Sequence, residues 1–294
     1  MDNPALLYLH GGPGLPEMGI SRNLNAILED YYTVIHWDQR GTGKSYSFFL
    51  DSKTMTVERL VQDTHEVTQY LKQRLGKEKI VLMGHSWGAG LGAVVAARYP
   101  QEYAALIGMG QPVKPLESDR LSYEFTLKQA KMMGHAAAVR DHERIDGYWS
   151  FKDQRYVSAM MVQKKWVQHF GGMMHGRQGM SFVFKNMMCR EFRLFDWPAA
   201  LLGCRFSLNT LAAKAYAIDL MQEVPELQIP YILLEGRHDY NSVSSLAEEY
   251  FNALNAPEKQ IHWFEKSAHW PHIEEPDLFH TIMIKLSMEL GSQL

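Results

Sequence analysis

The residue types best suited to chemistry in this chain meet in Gly84-His85-Ser86-Trp87-Gly88. The pentapeptide follows an apolar run, Lys79 to Met83, and precedes a run of small residues, Ala89 to Ala97. Strand, tight turn, helix is the setting in which G-x-S-x-G lifts a serine hydroxyl above a sheet and aims a helix N-terminus at the reaction centre. Such a turn is cramped and strained, and glycine on either side removes the Cβ atoms that would block it. The spacing therefore marks Ser86 as a nucleophile; the competing interpretation is a small residue in a structural turn.

A serine hydroxyl becomes a useful nucleophile only when a base takes its proton and a third group orients the base. Behind a nucleophile elbow, the order along the chain is serine, then acid, then histidine. Asp239 follows the β-type run Tyr231 to Glu235, and His269 follows Gln260 to Phe264, so both are expected in loops leaving a strand's C-terminal end. Taken singly, Asp239 could be a turn residue capping a helix and His269 a solvated loop histidine. His238 and His272 are the nearest rivals for the base. His238 precedes the acid, and His272 follows Pro271, where the chain should already be turning into its last helix. An oxyanion needs backbone N–H donors. Trp87, after the serine, supplies one; the glycines of His10-Gly11-Gly12-Pro13-Gly14 supply the other, with Gly12 preferred and Gly11 as its rival.

These residues need a scaffold. Further β-type runs occupy Ala5–Leu9, Thr33–Trp37 and Ala104–Met109, with helical patterns between most of the runs. Val57, Leu60, Val61, Val67, Leu71 and Leu75 form one face of a helix that Thr56 can cap. A last amphipathic helix is expected from Asp277 to Leu290. Strands alternating with helices imply a mostly parallel sheet covered on both faces. The alternation breaks across residues 115–214, which are rich in helix formers, aromatics and methionine. This segment reads as a helical cap inserted into a core made of residues 1–114 and 215–294. It holds 15 Lys/Arg and 9 Asp/Glu, a balance of +6 in a chain whose net charge is −3. The excess reads as a solvated outer face, or as a means of steering substrate.

Composition excludes several classes. A net charge of −3 leaves no electrostatic footprint for nucleic acid. No run of about 18 apolar residues suggests a membrane span, and Met1-Asp2-Asn3-Pro4 lacks the basic start of a signal peptide. Cys189 and Cys204 are too few for a disulfide framework. A cytoplasmic, reduced protein is the expectation.

Five stretches together resemble the proline iminopeptidase-like branch of the α/β-hydrolase superfamily. They are His10-Gly11-Gly12-Pro13-Gly14, Trp37-Asp38-Gln39-Arg40-Gly41-Thr42-Gly43-Lys44-Ser45, Gly84-His85-Ser86-Trp87-Gly88, Gly236-Arg237-His238-Asp239 and Ser267-Ala268-His269. The resemblance implies an α/β-hydrolase fold and a serine hydrolase without a cofactor. Ser86 would be its nucleophile, Asp239 its acid, His269 its base, and Gly12 and Trp87 its oxyanion donors, with Asp38 and Arg40 in a supporting loop. The substrate would be a small ester, lactone or amide, or a short peptide. A ligand-binding protein without turnover, and a lyase or acyltransferase on the same scaffold, are the alternatives.

The chain departs from that branch in three places. His85 stands where G-G-S-W-G is usual. The cap lacks the Glu-Asn-His-Tyr stretch whose carboxylate receives a substrate's free amino terminus; Glu117, Glu124, Glu143 and Glu191 are possible substitutes, and a basic cap suits a cationic amine poorly. Neutral acyl esters should therefore be preferred to prolyl amides. Two strands usual before the first one are missing, so Thr33–Trp37 is expected at a bare sheet edge, prone to pairing with a second copy in a homodimer or to aggregation. Gly41-Thr42-Gly43-Lys44-Ser45 imitates a phosphate-binding loop, but Asp38 occupies the position of its first glycine. His262, His269 and His272 have no carboxylate or thiol cluster to complete a metal site.

Overall fold

The computed structural model describes residues 3–176, 185–186 and 189–291. Met180, Met187 and Met188 of the methionine-rich segment lie outside them. Six strands form one sheet: β1 (Ala5–Leu9), β2 (Thr33–Trp37), β3 (Ile80–His85), β4 (Tyr103–Met109), β5 (Tyr231–Gly236) and β6 (Lys259–Phe264). Their spatial order is β2-β1-β3-β4-β5-β6, and every neighbouring pair is parallel. The third strand runs two residues beyond the apolar run seen in the sequence. His85 still pairs with Met109, so the ladder reaches the residue before Ser86.

Both faces of the sheet are buried, which explains strands that are apolar on successive residues rather than on alternate ones. After a short helix α1 (Met18–Leu24) come α2 (Val57–Leu75) and α3 (Trp87–Arg98), and Leu7, Leu9, Leu82, Leu106 and Leu233 pack on one face of the sheet against α2 and α3. Leu6, Tyr8, Val81, Met83 and Ile107 pack on the other, where Phe279, Ile282, Met283 and Leu286 of the last helix, Pro276–Gly291, cover them. The α2 helix begins where expected, with the Thr56 hydroxyl accepting from Arg59 N–H at 3.1 Å. It ends at Gly76 in the left-handed conformation, φ 64°.

Because all strands run the same way, the loops after β1, β3, β5 and β6 gather along one edge. The strand order reverses between β1 and β3, and that switch point opens a crevice at the strands' C-terminal ends. Among the described residues four longer helices lie between β4 and β5: α4 (Pro115–Met132), α5 (Ala136–Ile145), α6 (Tyr156–His169) and α7 (Trp197–Ala215). They are bonded to the loops of that edge: Ser122 Oγ donates to Tyr240 O at 2.7 Å and Ser207 Oγ to Gly41 O at 3.0 Å. Among the described residues no helix is long and apolar enough to cross a membrane. Cys189 and Cys204 are free thiols.

Candidate active site

Ser86 sits between β3 and α3 with φ 53° and ψ −123°, the one described non-glycine residue at positive φ. Such a conformation costs on the order of 1–3 kcal/mol and persists only where its surroundings enforce it. Here the Ser86 N–H donates to Met109 O at 2.8 Å, and Ser86 O accepts from Ala89 N–H at 2.8 Å. The flanking glycines are required by space. A Cβ on Gly84 would lie 2.2 Å from Gly88 O, and one on Gly88 would lie 2.0 Å from Leu9 O.

His269 and Asp239 meet: Nδ1 of His269 donates to Oδ2 of Asp239 at 2.6 Å. The other carboxylate oxygen accepts from the N–H groups of Asn241, at 2.7 Å, and Ser242, at 2.9 Å. Both side chains are buried. Burial pushes the His269 pKa below the ordinary histidine value; Asp239 opposes the shift, while the positive neighbours His85 and Lys164 reinforce it. The imidazole is thus held neutral, the form a general base needs. Glu235, at the end of β5, is fully buried beside Asp239. Its own burial, with Asp239's charge, pushes its carboxyl pKa well up.

The loop after β1 is latched from two sides. Gln39 Nε2 donates to His10 O at 2.9 Å, and Trp87 Nε1 donates to Gln39 Oε1 at 3.0 Å. Gly11 N–H donates to Glu17 Oε1 at 3.0 Å, so Gly11 is already engaged. Gly12 has φ 116°, and its carbonyl accepts from the Tyr216 hydroxyl at 2.6 Å. Trp87 is the first residue of α3, where a backbone N–H has no partner within the helix.

Ser86, His269, Gly11 and Gly12 line one cavity of about 210 Å³. Its walls are mainly apolar, with Leu15, Met160, Met161, Met173, Leu208 and Trp270 supplying most of the surface. Polar residues besides Ser86 and His269 also line it, among them Lys164 of α6, Asn241, Glu17, His85 and Tyr216. An open recess of about 410 Å³ between Trp37, Arg40 and Asp63 lies away from the serine.

The rivals fall elsewhere. His238 stacks on His175 with ring centroids 3.6 Å apart. His272 is buried behind the site, 5.3 Å from the His85 ring, and burial holds its pKa at about 3. Arg40 makes a bidentate pair with Asp63, at 2.6 and 2.8 Å, and Asp38 accepts from Lys44 N–H at 2.9 Å; neither residue lines the cavity. The Gly43–Ser45 stretch is one short 3-10 turn, with no helix N-terminus behind it to bind phosphate. Among the described residues no three His, Cys, Asp or Glu side chains are grouped to hold a metal ion.

Sequence reasoning missed the partner of His85. Nδ1 of His85 lies 2.9 Å from Oε1 of buried Glu17, and Nε2 lies 2.9 Å from the carbonyl oxygen of His269. The signal available was His85 itself, a titratable residue at an elbow position where glycine is usual. Glu17 also accepts from the Tyr8 hydroxyl at 2.7 Å.

A parallel sheet with a serine elbow after β3, an acid after β5 and a histidine after β6 is the arrangement of an α/β-hydrolase. The protein-family model described as "alpha/beta hydrolase fold" matches residues 4–136. The chain belongs to this family, in its proline iminopeptidase-like branch. It is 35% identical over 280 residues to the "Probable aminopeptidase YbaC" of Bacillus subtilis, covering 94% of this chain and 86% of the relative. It is 24% identical to a proline iminopeptidase of Heyndrickxia coagulans, over 95% and 88% of the two chains. Among solved structures, the proline iminopeptidase of Mycobacterium smegmatis superposes with a TM-score of 0.68 at 18% identity, covering 99% of this chain and 91% of that one. An esterase from Exiguobacterium antarcticum superposes with a TM-score of 0.63 at 17% identity, covering 97% and 92%. The chain is a hydrolase by this kinship.

Proposed function

We propose that this hydrolase is a serine hydrolase working through an acyl-enzyme. His269 takes the Ser86 proton as Oγ attacks a substrate carbonyl, and Asp239 stabilises the imidazolium through Nδ1–H. The tetrahedral oxyanion rests against the N–H groups of Gly12 and Trp87. The imidazolium returns its proton to the leaving group, which departs as the acyl-enzyme forms. Water then repeats the sequence on the acyl-enzyme, releasing the acid and restoring Ser86. The observation that carries this reading is the 2.6 Å His269–Asp239 hydrogen bond facing the same cavity as the strained serine.

The apolar cavity supports an ester of a carboxylic acid as substrate. Kinship to proteins named aminopeptidase favours a second reading, cleavage of an amino-terminal residue. That reaction needs an anion for the substrate ammonium. Among the described residues none of Glu117, Glu124, Glu143 and Glu191 lines the cavity. Glu117 pairs with Lys114, Glu124 with Arg120 and Glu191 with Arg22, while Glu143 is exposed. Glu17 does line it, but its oxygens already serve Tyr8, Gly11 and His85.

A fluorophosphonate probe followed by peptide mapping tests the mechanism: Ser86 should carry the label and no other serine should. Labelling elsewhere overturns the nucleophile. In a panel of short acyl esters and prolyl naphthylamide, the best ester should show the higher kcat/KM. The reverse order restores the aminopeptidase reading.

A further inference from the structure

Lys164 is an unusual wall for such a cavity. It lies on α6, half-buried, and lines the same space as Ser86 and His269. Its Nζ donates to Asn241 O at 2.6 Å. An ammonium carries three donors, and no carboxylate among the described residues lies within ion-pair distance of this one. Asp119 and Asp239 act on it only from further off, and Asp119 is engaged by the Tyr156 hydroxyl at 2.9 Å. Burial pulls the Lys164 pKa below the ordinary lysine value against the pull of both aspartates. A half-enclosed cation without an anion beside it is costly unless something brings one.

A second polar group belongs to the same wall. The side-chain oxygen of Asn241 is buried and has no hydrogen-bond partner among the described residues, and Asn241 lines the cavity next to Lys164. Rotating the amide by half a turn presents its NH₂ there instead. Lys164 and Asn241 thus put a cationic, hydrogen-bonding patch on the wall of the mainly apolar cavity that Ser86 also lines.

We propose that Lys164 and Asn241 form a subsite for a substrate carboxylate, so that the enzyme acts on esters that carry a free carboxylate as well as the scissile bond. This rests on the reading of the cavity as the site of ester hydrolysis. The carboxylate can belong to the acyl part, as in a dicarboxylic acid half-ester, or to the leaving group, as in the ester of a hydroxy acid. Either way the apolar walls take the hydrocarbon part of the ester.

The test compares kcat/KM for monoethyl adipate, with its carboxylate on the acyl side, and for the hexanoate ester of glycolic acid, with its carboxylate on the leaving group, against neutral ethyl hexanoate. The wild-type enzyme should favour one anionic ester, and which one names the side. The ratio of anionic to neutral rate should fall about 10- to 100-fold in Lys164→Met, the usual weight of a hydrogen bond to a charged group, and Lys164→Arg should restore most of it. The ratio is taken within one preparation, so partial unfolding of a variant cancels. A wild-type preference for the neutral ester, or an equal ratio in wild type and Lys164→Met, overturns the subsite and shows Lys164 merely pinning the Asn241 loop. If no ester is turned over at all, the reading of the cavity as a site of ester hydrolysis fails by itself. Calorimetric titration with adipate then decides the subsite. Binding that weakens at least tenfold in Lys164→Met upholds it; absent or unaltered binding overturns it.

Discussion

His85 and Glu17 form a buried ion pair at the nucleophile elbow, with Nδ1 of the imidazole 2.9 Å from Oε1 of the carboxylate. Both ring nitrogens face acceptors, since Nε2 lies 2.9 Å from His269 O. A neutral imidazole can donate through only one nitrogen, so this arrangement calls for an imidazolium. Burial works against that charge, but Glu17 overcomes it and the His85 pKa rises. Glu17, likewise desolvated, is carried down to about 2 by His85, with help from His272 and Tyr8. The pair ties the loop after β1 to the loop that carries His269.

Removing one partner leaves the other charge buried alone. Glu17→Gln should therefore destabilise the fold by roughly 3–5 kcal/mol. The pair's stabilisation has a defined pH window. The Glu17 part is fully present above the unfolded value of 4.5 and is lost as pH falls towards about 2. The His85 part is fully present below pH 6.5 and is lost as pH rises through the elevated folded value. Urea unfolding of Glu17→Gln, His85→Gln and the double variant at pH 5.5 measures the coupling. The double variant should be destabilised by clearly less than the sum of the singles; simple additivity would mean that the two side chains do not act as a pair.

The two histidines near the serine should separate cleanly. His269→Ala removes the base and should lower kcat on the order of 10³-fold or more, and Asp239→Asn should lower it strongly with the fold intact. His272→Ala should cost stability rather than chemistry, because its ring packs against Trp270 and Phe279 behind the site. Steady-state kinetics alongside thermal melts distinguish the two cases. A larger loss of kcat in His272→Ala than in His269→Ala would move the base to His272.

The triad was legible because a parallel sheet delivers every strand's C-terminal loop to one edge. Finding a serine, an acid and a histidine after three β-type runs was enough to bring them together. Gly12 over Gly11 was a preference in the sequence; in the fold the Gly11 N–H is given to Glu17. The rest of the site was illegible because no local spacing encodes it. Glu17 lies 68 positions from His85, and Lys164 lies 77 positions from the carbonyl it binds. Each reaches the site through tertiary packing, and Lys164 stands on a helix in the segment between β4 and β5. The charge excess of that segment was visible in the sequence. Which of its lysines and arginines turns inward was not, because a lysine in the pocket and one on the surface look alike in a helical pattern.

Activity should fall on acidification with a midpoint below pH 6.5, the ordinary histidine value. Burial lowers the His269 pKa, so the imidazole stays neutral and competent to a lower pH than a free histidine would. Lys164 contributes to the lowering, so Lys164→Met should move the midpoint up. A second group titrates nearby: Glu274, pushed up to about 7 by burial, accepts the Ala268 N–H at 2.8 Å. In Glu274→Gln the acid limb of kcat/KM should persist. A limb that vanished there would belong to Glu274 and not to the base.

The two edges of the sheet are guarded unequally, and this sets the last expectation. At the β6 edge, charges are at hand: Arg237 lies 3.6 Å from the centroid of the Trp263 ring and pairs with Glu265 at 2.8 Å. At the other edge, β2 has β1 as its one neighbour among the described strands, and its sequence, Thr-Val-Ile-His-Trp, holds neither lysine nor proline. The Thr33 N–H donates to Pro4 O at 2.9 Å, towards β1. In a strand successive N–H groups alternate in direction, so Val34 and His36 point theirs outward. An unguarded row of this kind pairs with another chain, and a homodimer through β2 is the expected state at high concentration. Val34→Pro removes one outward N–H and leaves the ladder to β1 intact, so sedimentation should show a weaker dimer with hydrolytic activity retained. Hydrogen exchange gives the independent check. The Val34 and His36 amides should exchange quickly in dilute monomer and slow as concentration rises. Slow exchange in dilute monomer would mean that the edge is already covered, and the dimer would have no strand to form on.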